Sequence, residues 1–240
     1  MVSQAYVTLL SSLNYLEGVL VLHESLRAVN SRHPLLVLIT EEIATKEILA
    51  IFEEEGIFYE IVEALSYCES TIDKHRSTAV LNTASKLHLF TLVNWDKLVY
   101  IDADAMVLEN VDDLFLRLDG SMVKYSDDPH GFTGMFVIEP PNHDEGEFYI
   151  ELLKHVQCFD GDLIGKLWFF IRTNSEYWIP PHYFAMPTTY TNQSKVIHYC
   201  NPGKPWMQEN CNDGSFLGWK YNIHLQNIRN KYNTAHYSLG

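Results

Sequence analysis

Asp102 and Asp104 are the residues whose types and spacing most directly suggest chemistry, and we call them the acidic pair. They directly follow residues 97–101 (KLVYI), a mostly apolar run that predicts a buried strand. Two carboxylates about 5 Å apart repel by about 3 kcal/mol at an effective dielectric constant of roughly 20. A divalent cation, a shared proton or a basic partner would relieve this repulsion. A solvated loop or a helix cap would account for the pair without any site.

A second group of polar residues lies at 198–206, with the sequence HYCNPGKPW. His198 follows a strand-like stretch, Pro202 and Gly203 predict a turn, and Lys204 comes next. A single histidine is most often an ordinary surface or core residue. Combined with the acidic pair, however, His198 would offer a metal ion two oxygens and one nitrogen and leave positions open for phosphate. That ligand set suits Mn²⁺ better than Mg²⁺, which prefers oxygen ligands.

The composition limits the classes of function. The chain has 240 residues, 47% of them hydrophobic, which predicts one globular domain with a sizeable core. Its formal net charge of −14 argues against nucleic acid or an anionic membrane as the main partner, because both select basic surfaces. The first residues have no basic region or long apolar stretch, so we expect no signal peptide, and no apolar run reaches the ~18 residues of a membrane span. The four cysteines have no CxxC spacing, so we expect reduced thiols and a cytoplasmic location.

The elements that must position these residues alternate along the chain. Apolar runs predict strands at residues 5–10, 34–39, 59–62 and 97–101. Helical spacing predicts helices at residues 15–29, 45–55 and 84–93. This alternation implies crossover connections, so we expect an α/β fold with a mostly parallel central sheet. The later residues predict shorter strands at 122–125, 134–138 and 195–199, and helices at 147–156 and around 221–232.

In open α/β sheets, ligands bind at the carboxyl ends of the strands, where the acidic pair is expected to lie. The turn after the first strand, residues 11–15 (SSLNY), should lie at the same edge. It lacks the glycines of a dinucleotide-binding GxGxxG motif, and the chain has no P-loop. Its hydroxyl groups and its aromatic ring could instead hold a nucleoside.

Taken together, these segments resemble glycosyltransferase family 8, which includes glycogenin and plant galactinol synthase. The matching segments are residues 5–9 (AYVTL), Tyr15 with 18–22 (GVLVL), 85–87 (SKL), 102–104 (DAD) with 111–115 (VDDLF), and 198–206. The resemblance implies a GT-A fold in a single domain, 1–240, with a nucleotide-binding half at about 1–104 and a sugar and acceptor half at about 105–240. It also implies a UDP-sugar donor, transfer with retention of anomeric configuration, and Mn²⁺, with Mg²⁺ as the alternative.

The resemblance further implies roles for single residues. The implied metal ligands are Asp102, Asp104 and His198. The implied diphosphate contact is Lys204, and the uridine-binding edge would comprise Leu9, Ser11, Ser12 and Tyr15. The other implied contacts to the nucleotide-sugar are Arg76, Lys86, Ala103, Thr133, Gly134 and Gly203. The candidate catalytic residues are Lys86, which would line the donor-sugar site, and Asp160 and Asp162, which would bind sugar hydroxyls or stabilise the oxocarbenium face.

The chain also departs from the family pattern. Phe132-Thr133-Gly134 stands where members commonly carry Asn-x-Gly, so recognition of the usual donor hydroxyl is altered. Residues 160–165 (DGDLIG) lack the glutamine of the family's DGGDQG stretch. The stretch from 178 to 198 is shorter than in glycogenin and lacks its self-glucosylated tyrosine, which argues against autoglucosylation. Asp162 is the candidate if a protein nucleophile is used, whereas attack from the face of the departing diphosphate needs none.

Three functions follow from these observations. The leading one is a metal-dependent glycosyltransferase that moves a hexose-type sugar from UDP to a hydroxyl of a glycan, a glycoprotein or a polyol. The alternative is a nucleotide-sugar binding module with little or no transfer, motivated by Phe132 and the missing glutamine. The third, a nucleotidyltransferase, should carry a basic, glycine-rich loop after the first strand, and residues 11–15 are not one.

Overall fold

The computed structural model describes residues 3–65, 82–125, 132–141, 144, 146–148, 150–151, 175–200, 204–207, 215–232 and 234. The strands in this part of the chain are β1 (Gln4–Leu10), β2 (Leu35–Thr40), β3 (Phe58–Val62), β4 (Lys97–Ile101), β5 (Ala105–Val107), β6 (Met122–Val123), β7 (Phe132–Ile138), β8 (Trp178–Ile179) and β9 (Val196–His198). The α-helices whose first and last residues lie in this part of the chain are α1 (Leu16–Ala28), α2 (Lys46–Glu55) and α3 (Phe216–Tyr232). Longer 3-10 helices cover Asn82–Thr91 and Asp112–Leu116.

The central sheet has the strand order β3-β2-β1-β4-β7-β6-β8 within the described residues. The pairs from β3 to β4 are parallel, β4–β7 and β6–β7 are antiparallel, and β6–β8 is parallel. The prediction of an α/β fold with a mostly parallel sheet is confirmed. Residues 5–10 of β1 and all of β2 are buried, because helical segments cover both faces of the sheet.

The helices begin and end where local chemistry dictates. The Thr45 side chain caps α2 by accepting a hydrogen bond from the backbone N–H of Ile48, and Gly56 ends the helix in the left-handed region at φ 69°. α1 packs against α3 and β5 on one face of the sheet. The segment Asn82–Thr91 packs on the opposite face, which carries a second group of buried apolar residues. None of the described helices is both long and apolar enough to cross a membrane.

Some elements differ from the sequence-based expectation. The helix predicted at 84–93 is a 3-10 helix over Asn82–Thr91, and its apolar residues Ala84, Leu87, Leu89 and Phe90 are buried. Neither β5 nor β8, each only two or three residues long, was expected. Of the helix predicted at 147–156, the described residues 147, 148, 150 and 151 are helical, and the others lie outside the described residues.

Candidate active site

The acidic pair lies in a tight turn between β4 and β5, at the carboxyl end of the parallel strands. The backbone N–H of Asp102 donates to the Gly134 carbonyl on β7 at 2.9 Å, and the Ala105 N–H donates back to the Asp102 carbonyl at 3.2 Å. The second sheet, β5 with β9, pairs Ala105 with His198 in antiparallel register. This register brings His198 beside Asp104, and the Tyr199 N–H donates to the Asp104 carbonyl at 2.8 Å.

The three side chains converge in a geometry that fits a divalent metal. His198 Nε2 lies 3.1 Å from Asp104 Oδ1 and 3.6 Å from Asp102 Oδ2. One potential ligand atom from each residue lies within 4.8 Å of the other two. Two carboxylate oxygens and one imidazole nitrogen form a donor set suited to a first-row divalent cation. Asp104 and His198 are buried and Asp102 is partly exposed, so the group opens to solvent on one side.

Two buried lysines hold the oxygens of the acidic pair that point away from His198. Lys204 Nζ lies 2.5 Å from Asp104 Oδ2 and also donates to the Tyr199 carbonyl at 2.6 Å. Lys86 Nζ lies 2.9 Å from Asp102 Oδ1 and 3.4 Å from the Thr133 carbonyl. Each aspartate therefore has one oxygen facing the histidine and the other facing a lysine. These cations offset the mutual repulsion of the two carboxylates.

The electrostatic field of the cluster shifts the pKa of Asp104 and that of His198 in opposite directions. Burial raises the pKa of Asp104, but the hydrogen bond and charge of His198 and the charge of Lys204 outweigh burial and keep this pKa below its usual range. Burial lowers the pKa of His198, but its hydrogen bonds to Asp104 and Cys200 and the charges of both aspartates raise the pKa overall. The Asp104 carboxylate is therefore ionised at neutral pH, whereas a metal ion would have to displace a proton from His198.

Aromatic rings form one wall of the site. The Phe184 ring stacks on His198 with centroids 4.8 Å apart, and Phe132 lies 5.4 Å from His198 and 5.9 Å from Phe184. A Cβ atom at Gly134 would come within 2.8 Å of Asp102 Oδ2 and 2.4 Å of the Phe132 ring. Glycine at this position lets the strand approach the carboxylate closely.

A further part of the site comes from the turn that precedes α1. Tyr15 packs edge to face on Trp206 with centroids 5.6 Å apart, and Lys204 Nζ lies 5.7 Å from the Tyr15 ring centroid. Burial and the charges of Asp104 and Asp102 raise the pKa of Tyr15, so its hydroxyl group stays protonated and can donate a hydrogen bond.

The described residues bring together most of the side chains that the sequence marked. Lys86, Asp102, Asp104, His198 and Lys204 meet in one cluster, with Thr133 and Gly134 on its β7 side and Tyr15 beside Lys204. Ala103 is buried between the two aspartates. Leu9 is buried in the core on the face of Asn82–Thr91, whereas Ser11 and Ser12 are half-buried at the end of β1. The remaining candidates, Arg76, Asp160, Asp162 and Gly203, lie outside the described residues.

Two further residues belong to the cluster and were missed by sequence reasoning. The Tyr100 hydroxyl donates to Asp102 Oδ1 at 2.9 Å. Strand alternation puts residues two apart on one face, so this contact could have been inferred. Phe184 stacks on His198 because an isolated β-bridge pairs the neighbouring residues Ala185 and Ile197, and no sequence pattern predicts that bridge.

The fold is of the GT-A type. The family model described as "Glycosyl transferase family 8" matches residues 6–144, and the chain belongs to that family. It is 32% identical to glycogenin-2 of Homo sapiens over 232 residues, which cover 89% of this chain and 46% of the relative. The corresponding values for glycogenin-1 of Oryctolagus cuniculus are 32%, 86% and 66%. Galactinol synthase 1 of Solanum lycopersicum is 28% identical over 85% of this chain and 74% of its own length.

Solved structures agree with the assignment of the fold. The galactosyltransferase LgtC, in complex with donor and acceptor sugar analogs, superposes with a TM-score of 0.64 at 17% identity, over 93% of this chain and 95% of LgtC. The bifunctional glycosyltransferase WbbM superposes with a TM-score of 0.65 at 14% identity, over 100% of this chain and 52% of WbbM.

The chain spans about half to two thirds of the length of the two glycogenins compared above.

Proposed function

We propose that this chain is a metal-dependent, retaining glycosyltransferase that moves a hexose-type sugar from a UDP-sugar to a hydroxyl acceptor. The acceptor would be a glycan, a glycoprotein or a polyol. The observation that carries the proposal is the group formed by Asp102, Asp104 and His198 at the carboxyl end of the parallel strands. Ligands of open α/β sheets bind at this edge, and the buried lysines beside the group suit an anionic donor.

Asp102, Asp104 and His198 would hold Mn²⁺, with Mg²⁺ as the alternative. When bound, the cation acts as a Lewis acid on the diphosphate leaving group. Lys204, whose Nζ lies 2.5 Å from the Asp104 carboxylate, would add a positioned positive charge for the diphosphate. Lys86, at 2.9 Å from Asp102, is the corresponding cation on the donor-sugar side.

The remaining roles complete the proposal. Tyr15 with Leu9, Ser11 and Ser12 would form the uridine-binding edge. The other donor contacts would be Arg76, Ala103, Thr133, Gly134 and Gly203, with Asp160 and Asp162 on the sugar. In one domain, residues 1–104 would bind the nucleotide, and residues 105–240 would face the sugar and the acceptor.

The reaction that we propose breaks the bond between the anomeric carbon and the diphosphate oxygen. The diphosphate keeps the electron pair of that bond, and the acceptor oxygen forms the new bond on the face that the diphosphate leaves. The acceptor proton passes to the departing phosphate, so no protein base is needed. Lys204 and Lys86 offset negative charge as it develops on the leaving group.

Turnover is the direct test of the proposal. UDP release should be measured across a panel of UDP-sugars with Mn²⁺, with EDTA, and with the Asp104→Asn variant. We expect EDTA to abolish release and Asp104→Asn to lower kcat/KM by about 100-fold or more, because a ligand and a partner of Lys204 are both altered. Asp119→Asn, whose carboxylate accepts from the Glu139 N–H far from the site, is the matched control. The proposal fails if no donor is consumed in a metal-dependent way with either water or sugars as acceptor.

The alternative function is nucleotide-sugar binding without transfer. It is favoured by the Phe132 ring, which lies 5.4 Å from His198 and presents no hydrogen-bonding group to a donor. Calorimetry distinguishes the two functions. Tight binding of UDP with Mn²⁺, while every donor remains intact, would identify a binding module.

A further inference from the structure

Glu17 is a fully buried carboxylate in the first turn of α1. Arg229 on α3 binds it in a bidentate manner, with Nε 2.8 Å from Oε1 and Nη2 2.8 Å from Oε2. The Thr234 hydroxyl also donates to Oε1, at 2.7 Å. Because removing two charges from water is costly, a buried ion pair is often no more stabilising than apolar residues of the same volume. Stability alone therefore gives little reason for this arrangement.

The pair has a further contact that leads to the candidate active site. Arg229 Nη2 also donates to the Trp206 carbonyl, at 2.7 Å. Trp206 lies two residues after Lys204, and its indole N–H donates to the Asn14 carbonyl at 2.5 Å. The guanidinium group thus connects the last described helix both to α1 and to the backbone that carries Lys204.

The indole ring of Trp206 is also closely packed. Gly18, next to Glu17 in sequence, approaches so closely that a Cβ there would lie 2.9 Å from the Trp206 ring and 2.6 Å from the Ala103 carbonyl. Tyr221 on α3 stacks on the same indole ring, with centroids 6.1 Å apart. The position of Trp206 is therefore set jointly by α1, α3 and the turn that precedes α1.

We propose that Arg229, held by Glu17, is a positioning residue for the diphosphate-binding lysine. Its bond to the Trp206 carbonyl fixes the backbone at 204–206, so that Lys204 Nζ reaches Asp104 at 2.5 Å. This inference rests on the proposed function, because it assigns Lys204 to the donor. A misplacement of about 1 Å in such a group can cost about 100-fold in rate.

Only a guanidinium group satisfies all of these contacts at once. Its planar fork binds both oxygens of Glu17 while Nη2 also reaches the Trp206 carbonyl. A lysine ammonium keeps the charge but is a single point donor, so it must give up part of this set. Arg229→Lys therefore separates positioning from charge.

The test compares Arg229→Lys with Lys231→Ala, a control on the same helix. Lys231 pairs with Glu55 at 2.6 Å and Glu54 at 3.2 Å, away from Trp206. We expect Arg229→Lys to weaken UDP binding with Mn²⁺ by about tenfold or more and to raise KM for the donor. Lys231→Ala should change only the denaturation midpoint. Equal UDP affinity and KM in Arg229→Lys and the wild type would overturn the proposal.

A second measurement tests the positioning independently of catalysis. The hydrogen-exchange rate of the Trp206 indole N–H, followed by NMR, should rise in Arg229→Lys and stay at the wild-type value in Lys231→Ala. If wild-type protein fails to bind UDP, the proposed function fails, and this exchange rate alone decides the positioning role. An unchanged rate contradicts it. Should Arg229→Lys fail to fold, Glu17→Gln is the second variant, because it keeps the shape of the side chain. We expect Glu17→Gln to show the same faster exchange and weaker UDP binding. Wild-type exchange and wild-type UDP affinity in Glu17→Gln would overturn the proposal.

Discussion

Gly18→Ala is expected to damage the candidate site more than it destabilises the fold. The added Cβ would lie 2.6 Å from the Ala103 carbonyl oxygen and 2.9 Å from Cη2 of Trp206. The first of these atoms belongs to the backbone between Asp102 and Asp104, so it cannot move aside like the end of a flexible side chain. Relief of the clash must shift the turn of the acidic pair, Trp206 or α1.

Two opposing terms set the size of the effect on stability. Overpacking in a close-packed region typically costs about 1–3 kcal/mol. Alanine is better than glycine in a helix by about 1 kcal/mol, which offsets part of that cost. We therefore expect Gly18→Ala to lower the free energy of unfolding by about 0–2 kcal/mol. Binding of UDP with Mn²⁺ should weaken by about tenfold or more, because a shift of a few tenths of an ångström acts directly on the proposed metal ligands.

Gly56→Ala is the matched control for this experiment. Gly56 has φ 69°, and a Cβ there would meet no described atom within 4 Å. Its cost comes from the left-handed backbone, about 1–2 kcal/mol, at the end of α2 and away from the site. Denaturant unfolding and calorimetry of both variants test the reasoning. If Gly18→Ala binds UDP with Mn²⁺ as tightly as Gly56→Ala does, the close approach of α1 to the acidic pair does not control the site.

Other changes test single contacts. Gly134→Ala would bring a Cβ within 2.8 Å of Asp102 Oδ2, and we expect calorimetry to show weaker Mn²⁺ binding. Burial lowers the pKa of His23 to about 4, although the charge of Glu55 raises it. The unfolded chain then binds more protons below about pH 6.5, and denaturant titrations should show stability falling by at most about 3 kcal/mol towards pH 4, with a shallower fall in His23→Gln. Thr45→Ala removes the cap of α2 and should cost about 0.5–1 kcal/mol of unfolding free energy, without any change in UDP binding.

The sequence predicted the elements that have strong local signals. β1, β2 and β4 are mostly apolar runs, and α2 has a threonine cap and a terminal glycine, so each of their bounds differs from expectation by at most one residue. The acidic pair was recognisable because it directly follows β4. Local patterns contain this information, and burial in the sheet then reinforces it.

The remaining features depend on contacts between distant segments. The Ala105–His198 register and the stacking of Phe184 involve short strands and a single bridge, whose few residues carry no periodicity. The sequence marked both lysines as candidates. It did not predict that each aspartate has one oxygen facing His198 and the other facing a lysine, because side-chain geometry follows tertiary packing. The Asn82–Thr91 segment shows the same limit, because its apolar spacing fits an α-helix and a 3-10 helix alike.

The pairing of β5 with β9 has a consequence for the order of folding. Lys204 and Asp104 are 100 positions apart in the chain, so their contact closes a long loop, and we expect it to form late in assembly. A slip of one residue in this pairing would turn the His198 side chain to the other face and leave the acidic pair without it. An intermediate that contains only β1 to β4 would therefore have the centre of the main sheet but would lack His198 and Lys204 beside the acidic pair. Uptake of Mn²⁺ during refolding should consequently mark the last step, after the central sheet has formed.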